Sequence, residues 1–264
     1  MLFTDQTGQT IDLPAIPRRI ISLVPSQTEL LADLGLDKEV TGITKFCVHP
    51  KEWFHNKTRI GGTKQLHVEK IKELQPDLII ANKEENVKEQ IEELSTHFPV
   101  WISDVNDLAS AYQVMQQIGA MTNKELKANK IIAEIKHQFQ RLTTPDYRLR
   151  TAYLIWQKPY MTIGSDTFIH SMLHVAGFNN IFADQQRYPE ISMEEIKSVD
   201  PEILLLPSEP FPFKEIHASE LQKQLPNTKI ILVDGELFSW YGSRLLKAPA
   251  YFEHLQKEIN NFKL

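Results

Sequence analysis

The hydrophobic and polar positions of residues 68–81 recur in the same order at residues 193–206. The two stretches read VEKIKELQPDLIIA and MEEIKSVDPEILLL, and the offset between them is constant. The identical pairs are Glu69 and Glu194, Ile71 and Ile196, Lys72 and Lys197, and Pro76 and Pro201. In each copy an acidic residue follows the proline and precedes a run of large aliphatic residues.

Each copy has the pattern of a short amphipathic helix followed by a buried strand. Apolar residues fall at helical spacing in Val68, Ile71 and Leu74, and proline then fixes the backbone and supplies no amide donor. The aliphatic run after it is typical of a parallel strand covered on both faces. Helix–proline–strand units are common in α/β proteins, but the matched residues favour a duplication. The repeat therefore predicts two similar lobes.

The first lobe opens with a predicted hairpin at Phe3–Leu13 and a core strand at Arg19–Val24. Ser26 and Glu29 have the spacing of a capping box, in which each side chain bonds the backbone amide of the other. That spacing predicts a helix over Gln27–Leu34 with Ser26 as its N-cap.

Residues 107–142 read as one almost unbroken helix, interrupted only by Gly119 and Thr122–Asn123. At ~1.5 Å per residue such a helix would reach roughly 50 Å, longer than a small domain is wide. We therefore predict an α/β protein of two Rossmann-like lobes, with parallel sheets flanked by helices, joined by one long backbone helix. The predicted segments are 1–106 for the N-terminal lobe, 107–142 for the connecting helix and 143–264 for the C-terminal lobe.

Composition narrows the class of protein. The net charge of −5 disfavours nucleic-acid binding, and the single cysteine excludes an internal disulfide. No apolar run approaches the roughly 18–20 residues that span a bilayer, so we expect no membrane insertion. The first residues lack the features of a secretion leader, although a leader removed for expression would leave the same sequence. No nucleophile–base pair is visible, so we expect neither enzymatic activity nor a catalytic cofactor.

Three stretches carry a resemblance to a known family: RIISLVPSQTELLADLGL, EKIKELQPDLIIA and DGELFSWYGSRLL. With the long helix and the weaker second copy, they resemble the class III substrate-binding proteins of bacterial ABC importers, the helical-backbone metal receptors. The cobalamin-binding members are the most similar subfamily. The resemblance covers the chain from about Arg18 to its C-terminus.

The resemblance implies binding without catalysis, in the cleft between two lobes, by a protein that delivers its ligand to an ABC permease. Cobalamin or another corrinoid is the leading ligand. The alternatives are haem, a ferric siderophore, or a role as a cytoplasmic cofactor carrier or sensor. The family is periplasmic or at the cell surface, while the absence of a visible leader keeps a cytoplasmic location open. A siderophore receptor is expected to have several basic residues in its binding site. The candidates here, Lys158, Arg187 and Arg244, are few for that purpose. An enzyme that binds a metal cluster would need several cysteines.

Ligands of open α/β sheets bind outside the carboxyl ends of the strands, which selects the loops that follow them. A tetrapyrrole is a wide apolar plate with polar edges, so we expect aromatic side chains and a few donors. The predicted ligand-binding residues are Pro25, Ser26, Cys47, His49, Trp156, Tyr160, Phe211, Trp240, Tyr241 and Arg244.

Two parts of this set carry specific expectations. The run FSWYGSR suits an exposed turn, and by the resemblance Trp240 occupies the place of a tryptophan that stacks on cobalamin. Arg244 could bind a carboxylate or amide edge with its planar fork, the alternative being a surface salt bridge.

Cys47 and His49 lie two residues apart in one loop, KFCVHP. His49 could coordinate cobalt or haem iron as an axial ligand, and Cys47 could bind a soft metal. Cobalamin-binding members commonly have a tyrosine at the place of His49 and no cysteine. The alternative is a hydrogen-bonded loop histidine beside a small apolar cysteine.

Glu69 and Glu194, the matched acids of the repeat, are candidates for docking to the permease. By the resemblance, importer proteins present one exposed acid on each lobe to permease arginines. The alternative role is stabilisation of a helix N-terminus by a negative charge, worth roughly 0.3–1 kcal/mol.

Overall fold

Each copy of the sequence repeat forms the helix and the strand predicted for it. The computed structural model describes residues 1–261. In it the first copy forms a helix at Val68–Leu74 and a strand at Leu78–Asn82, and the second copy a helix at Met193–Val199 and a strand at Ile203–Pro207. The described chain divides into two compact units.

Unit 1 comprises Met1–Val105, Ala109–Lys136 and Tyr241–Leu246. Its strands are β1 (Leu2–Thr4), β2 (Thr10–Asp12), β3 (Ile20–Ser22), β4 (Val40–Ile43), β5 (Thr58–Arg59), β6 (Gly61–Gly62), β7 (Gln65–Leu66), β8 (Leu78–Asn82) and β9 (Val100–Ser103). Its helices are α1 (Pro25–Asp33), α2 (Lys51–Asn56), α3 (Val68–Leu74), α4 (Lys88–Ser95), most of α5 (Leu108–Met121) and α6 (Glu125–Arg141), and a short 3₁₀ helix (Ser243–Leu246).

Unit 2 comprises Asn106–Leu108, His137–Trp240 and the chain from Lys247 onward. Its strands are β10 (Leu149–Tyr153), β11 (Tyr160–Met161), β12 (Phe178–Asn180), β13 (Glu190–Ile191), β14 (Ile203–Pro207) and β15 (Lys229–Val233). Its helices are α7 (Phe168–Val175), α8 (Met193–Val199), α9 (Glu215–Gln224), α10 (Glu236–Ser239) and α11 (Ala248–Asn261). Residues 241–246 belong to unit 1, although most of unit 2 precedes them in the sequence.

The main sheets of the two units share an order of four strands, to which unit 1 adds the edge strand β5. Unit 1 orders its strands β5-β4-β3-β8-β9 and unit 2 orders them β12-β10-β14-β15, and all of these neighbours are parallel. The repeat strands β8 and β14 are therefore central in both sheets. The side chains of Leu78–Ala81 are 0% exposed, so this strand is covered on both faces as predicted. The α/β class with parallel sheets flanked by helices is confirmed.

The matched acid of each repeat holds the start of the neighbouring central strand. Asp77 accepts backbone N–H bonds from Arg18 and Arg19 at 2.9 and 2.8 Å, just before β3. Glu202 accepts the Arg150 N–H at 2.9 Å, in β10. In each unit, the acidic residue that follows the repeat's proline therefore fixes the start of the neighbouring central strand, which is β3 in unit 1 and β10 in unit 2.

The helix of each repeat also ends in the same backbone conformation. Gln75 and Asp200 follow α3 and α8 with φ of 46° and 43°, in the left-handed region that closes many helices. The conformation recurs although neither residue is glycine.

The helical stretch predicted at 107–142 is divided into α5 and α6 by a break at Thr122–Lys124, at one of the two interruptions expected from the sequence. Asn123 has φ 56°, the Asn123 N–H donates to the Ala120 carbonyl, and the Lys124 N–H donates to the Gly119 carbonyl. These two bonds form a Schellman motif, which satisfies the last carbonyls of α5 and ends it. Asparagine tolerates the left-handed conformation, and this tolerance explains the break.

The predicted capping box at Ser26 and Glu29 is wrong. Helix α1 begins at Pro25, which suits a first turn because its missing N–H would have no partner there. Its N-cap is Val24, without a side-chain bond, so Ser26 and Glu29 lie inside the helix. Within residues 1–261, none of the helices combines the length and the apolar composition needed to cross a bilayer.

We predict that Asp77→Ala and Glu202→Ala each lower the free energy of unfolding by about 1–2 kcal/mol, because each leaves strand-start donors without their acceptor. Denaturant unfolding followed by circular dichroism measures this, with the exposed α11 residue changed in Glu253→Ala as the matched control. Losses no larger than in the control would contradict the role assigned to the repeat acids.

Candidate ligand-binding site

Cys47 lies in the core of unit 1 rather than on the surface of its loop. Its side chain is 0% exposed, and Sγ lies 3.0 Å from Thr28 Oγ1, which donates to it, and 3.1 Å from Thr44 Oγ1. Burial raises the pKa of the Cys47 thiol, because a thiolate is poorly solvated there. A soft metal binds the thiolate form. Cys47 is thus a buried, hydrogen-bonded side chain in this structure, and its role as a ligand stays a prediction.

The neighbours of Cys47 point outward, and sequence reasoning missed them. Phe46 is 51% exposed and Val48 is 40% exposed, on the loop that follows β4. The Lys45 Nζ lies 5.1 Å from the Phe46 ring centroid, and both side chains pack over Gly62, where a Cβ would come within 3.2 Å of either. The chain turns at this point, since the Cys47 N–H donates to the Thr44 carbonyl and the Val48 N–H to the Phe46 carbonyl, and the turn leaves Phe46 and Val48 facing solvent.

Other predicted residues of unit 1 lie at the same carboxyl edge. His49 is half-buried on the loop with Phe46, Pro25 is half-buried at the start of α1, and Ser26 is 4% exposed. Among residues 1–261 no group of three or more histidine, cysteine or acidic side chains is arranged to hold a metal ion. Axial ligation by His49 stays a prediction.

Tyr241 is a buried residue of unit 1, contrary to the exposed turn expected of FSWYGSR. Its side chain is 7% exposed, and its hydroxyl lies 3.2 Å from Gln27 Nε2, which donates to it, and 3.3 Å from Ser103 Oγ. Burial raises the pKa of the Tyr241 hydroxyl well above its usual range. A phenolate ligand for iron would therefore be hard to form at this position.

Arg244 forms a buried bidentate ion pair within unit 1. Its Nε and Nη2 each donate to a carboxylate oxygen of Glu29 at 2.7 Å, and the two side chains are 8% and 12% exposed. The guanidinium donors of Arg244 that were expected to bind a ligand are thus bonded to Glu29. The ion pair is buried, whereas the alternative expected a salt bridge on the surface. The pair binds residues 241–246 to helix α1, so Arg244 has a structural contact and its ligand contact stays a prediction.

Unit 2 carries an aromatic cluster at the carboxyl edge of its sheet, defined by Trp156, Phe211, Phe213 and His217. The Trp156 and Phe211 ring centroids are 5.6 Å apart at 72°, and Phe211 lies 4.7 Å from Phe213 at 61°. Trp156 is 42% exposed, Phe211 and His217 are half-buried, and Phe213 is 6% exposed. The structure thus brings together two predicted residues, Trp156 and Phe211, and presents an open aromatic surface.

Tyr160 lies beside this cluster in β11, which pairs with β13. Its side chain is half-buried and packs against the apolar core of unit 2. The β-bridge between Trp156 and Met161 folds the chain back at this point. Tyr160 is therefore placed near the predicted surface, with part of its ring used in the core.

Trp240 is mostly covered and is held by a carboxylate. Its side chain is 6% exposed, and its Nε1–H donates to Glu209 Oε1 at 2.6 Å, an oxygen that also accepts from Ser239 Oγ at 2.7 Å. Gly235 packs against Glu209 so closely that a Cβ would come within 2.8 Å of the Glu209 carbonyl oxygen. Sequence reasoning missed Glu209, since no pattern relates it to a residue 31 positions away. The stacking contact expected of Trp240 stays a prediction.

These features define a class of ligand-binding α/β proteins, with matching parallel sheets and aromatic and polar loops at their carboxyl edges. A family model described as periplasmic binding protein matches residues 20–229. The chain therefore belongs to the periplasmic binding protein family, and the predicted family resemblance is confirmed.

Individual relatives agree with this assignment. An uncharacterized ABC transporter substrate-binding lipoprotein of Bacillus subtilis, YvrC, is 26% identical over 213 residues, which cover 76% of this chain and 67% of the relative. The vitamin B12-binding protein of Photorhabdus laumondii is 26% identical over 258 residues, covering 94% and 90%. The solved periplasmic haem-binding protein HutB of Vibrio cholerae shares the fold, with a TM-score of 0.76 at 21% identity over 90% of this chain and 98% of that one. All three are named as binding proteins rather than enzymes.

We predict that Arg244→Met lowers the free energy of unfolding by about 3–5 kcal/mol, because it leaves the Glu29 carboxylate buried and unpaired. The double variant Glu29→Met with Arg244→Met should recover much of this loss. Denaturant unfolding measures the effect.

The control for this ion pair is Lys72→Met. Lys72 pairs with Glu69 and Glu93 on the surface of unit 1, where solvent screening leaves such pairs little effect on stability. An Arg244→Met variant as stable as the Lys72→Met control would contradict a structural role for the buried pair.

We also predict that the Cys47 thiol is unreactive in the native protein at about pH 8, where a free cysteine is partly ionised. The raised pKa keeps the thiol protonated, and burial blocks approach of a reagent. A chromogenic aromatic disulfide should react only when guanidinium unfolds the chain. Fast reaction in the native state would show that Cys47 is accessible.

Proposed function

We propose that the protein is the substrate-binding component of an ABC importer and that its ligand is cobalamin or a related corrinoid. The exposed aromatic surface at Trp156 and Phe211 is the observation that carries this proposal, together with the vitamin B12-binding relative. A corrinoid is a broad apolar plate with amide groups at its edge, and flat aromatic side chains are the contact that such a plate fits.

Burial energies support this mode of binding. Covering an exposed tryptophan contributes about 1.5–3 kcal/mol through the hydrophobic effect, and an aromatic contact adds about 0.5–1.5 kcal/mol. Unit 1 has exposed apolar side chains of its own after β4, Phe46 and Val48. Contacts of this kind need no metal–protein bond.

Haem is the second candidate, and the solved haem-binding protein of the same fold favours it. Haem-binding sites commonly hold the iron through histidine, cysteine, methionine or tyrosine. In this chain Cys47 and Tyr241 are buried and hydrogen-bonded, which leaves His49 as the predicted axial ligand. Because few of the predicted residues could coordinate haem iron, cobalamin is the better supported of the two cofactors.

A ferric siderophore has less support. Such complexes are often negatively charged and are met by basic side chains. Of the predicted cations, Arg244 is bound by Glu29, and Arg187 Nη1 lies 3.7 Å from Asp166 Oδ2. Lys158 remains as an exposed cation of unit 2.

The proposal implies a permease partner and a location outside the cytoplasmic membrane, and it is supported by the relative named as an ABC transporter substrate-binding lipoprotein. Glu69 and Glu194 lie in the first turns of α3 and α8, and both are exposed. They are the acids that we propose for docking to the permease. Glu69 Oε1 also pairs with Lys72 Nζ at 2.9 Å, which is consistent with the alternative, local role.

The test is to mix the purified protein with hydroxocobalamin and, separately, with haemin, and to measure binding by equilibrium dialysis and visible spectra. We predict that Trp156→Ala weakens cobalamin binding by about ten- to a hundredfold, since it removes the exposed aromatic surface. Leu126→Ala is the control, because Leu126 is 83% exposed on α6, away from the strand ends.

Axial ligation and stacking give different results in this assay. A spectral change with hydroxocobalamin that disappears in His49→Ala would establish axial ligation, whereas binding lost in Trp156→Ala with an unchanged spectrum supports contact through the aromatic surface. Failure of the wild-type protein to bind either cofactor would overturn the proposal.

A further inference from the structure

His217 completes the aromatic cluster of unit 2 and is the member whose ring carries two nitrogen atoms. It is the third residue of α9, half-buried, with its ring centroid 5.3 Å from Phe211 and 5.8 Å from Phe213. Both contacts are edge-to-face, at 66° and 90°. Phe211 therefore contacts Trp156 and His217, and the imidazole lies next to the exposed aromatic surface.

One ring nitrogen of His217 is already used by the backbone. The Lys214 N–H, at the N-cap of α9, donates to His217 Nδ1 at 2.9 Å. This is the reach-back bond that a glutamate or glutamine commonly makes from the third helical position. An accepting ring nitrogen carries no proton, so the neutral ring carries its proton on Nε2. Within residues 1–261 this is the only hydrogen bond of the ring.

We propose that the His217 Nε2–H donates a hydrogen bond to an amide carbonyl or carboxylate at the edge of the ligand, while the ligand's flat part lies on Trp156 and Phe211. This contact rests on the proposed function and adds a polar determinant to it. A corrinoid carries edge amides and a haem carries edge carboxylates, so both classes supply the acceptor.

The same geometry argues against His217 as a metal ligand. Coordination through Nε2 needs its lone pair, which moves the proton of the neutral ring to Nδ1. Two donors, the Lys214 N–H and Nδ1–H, would then face each other at the present 2.9 Å. Metal coordination through Nε2 would therefore break the hydrogen bond by which His217 caps α9. Donation from the Nε2–H keeps that hydrogen bond.

Two variants separate the donor from the cap. In His217→Gln the amide oxygen can accept the Lys214 N–H while the amide nitrogen still donates outward. In His217→Glu the carboxylate keeps the cap, as in an ordinary capping box, but has no donor. Both should melt at the wild-type temperature. Lys223→Gln, on the exposed far turn of α9, makes the same change in net charge as His217→Glu and is the control.

We predict that His217→Glu weakens binding of cyanocobalamin by about tenfold or more, because a donor is replaced by a second acceptor facing the ligand edge. His217→Gln and Lys223→Gln should stay within about threefold of wild type. Nitrogen NMR of labelled histidine should show Nε2 protonated in the free protein, with its N–H proton shifting on ligand addition.

The outcomes are distinguishable. Wild-type binding that is unchanged in His217→Glu overturns the contact and leaves the proposed function standing. Loss in both variants, with loss of a ligand-to-metal spectral change, would show coordination instead of donation and would also overturn it. A wild-type protein that binds neither cyanocobalamin nor haemin overturns the proposed function itself, and the contact with it.

Discussion

One carboxylate in each unit fixes where the central parallel strands begin. Asp77 and Glu202 follow equivalent prolines and bond backbone amides at the start of β3 and β10. In a parallel sheet the position of the start also sets the position of the carboxyl end, where the loops with exposed aromatic residues begin. A surface feature at one edge thus depends on hydrogen bonds at the opposite edge, because the buried strand between them, such as Leu78–Asn82, transmits the register.

The fold could be predicted from the sequence because its signals are local. The helix–proline–strand order of the repeat, the aliphatic run at Leu78–Ala81 and the Thr10–Asp12 hairpin strand each follow from residues close together in the chain. A second local feature decides where some helices begin and end. Asn123 ends a helix that the apolar spacing alone would continue, and Pro25 starts a helix one residue before the expected cap. Neither outcome needed a distant contact.

The site was harder to predict because its side chains are oriented by distant partners. The loop of Cys47 was correctly selected, but Thr28 and Thr44 draw the thiol inward and leave its neighbours exposed. The sequence predicts that Arg244 and Trp240 are exposed. In the structure Arg244 is bonded to Glu29 and Trp240 to Glu209, and both partners are distant in the sequence. Trp156 packs on Phe211, a neighbour at the same edge, and stays 42% exposed. Sequence patterns predict which loops lie at the carboxyl edge of a sheet. The contacts between side chains then determine which of those side chains stay exposed to a ligand.

The return of residues 241–246 to unit 1 has a consequence for biosynthesis. Glu29 is bonded to a residue 215 positions later, so the first unit lacks its last segment until almost the whole chain has been made. Contacts of such high sequence separation slow folding, and a buried carboxylate without its partner is costly. A ribosome-bound chain that stops before Arg244 would therefore hold an incomplete N-terminal unit. The last contacts of this unit therefore form only after nearly all of the chain has been synthesised.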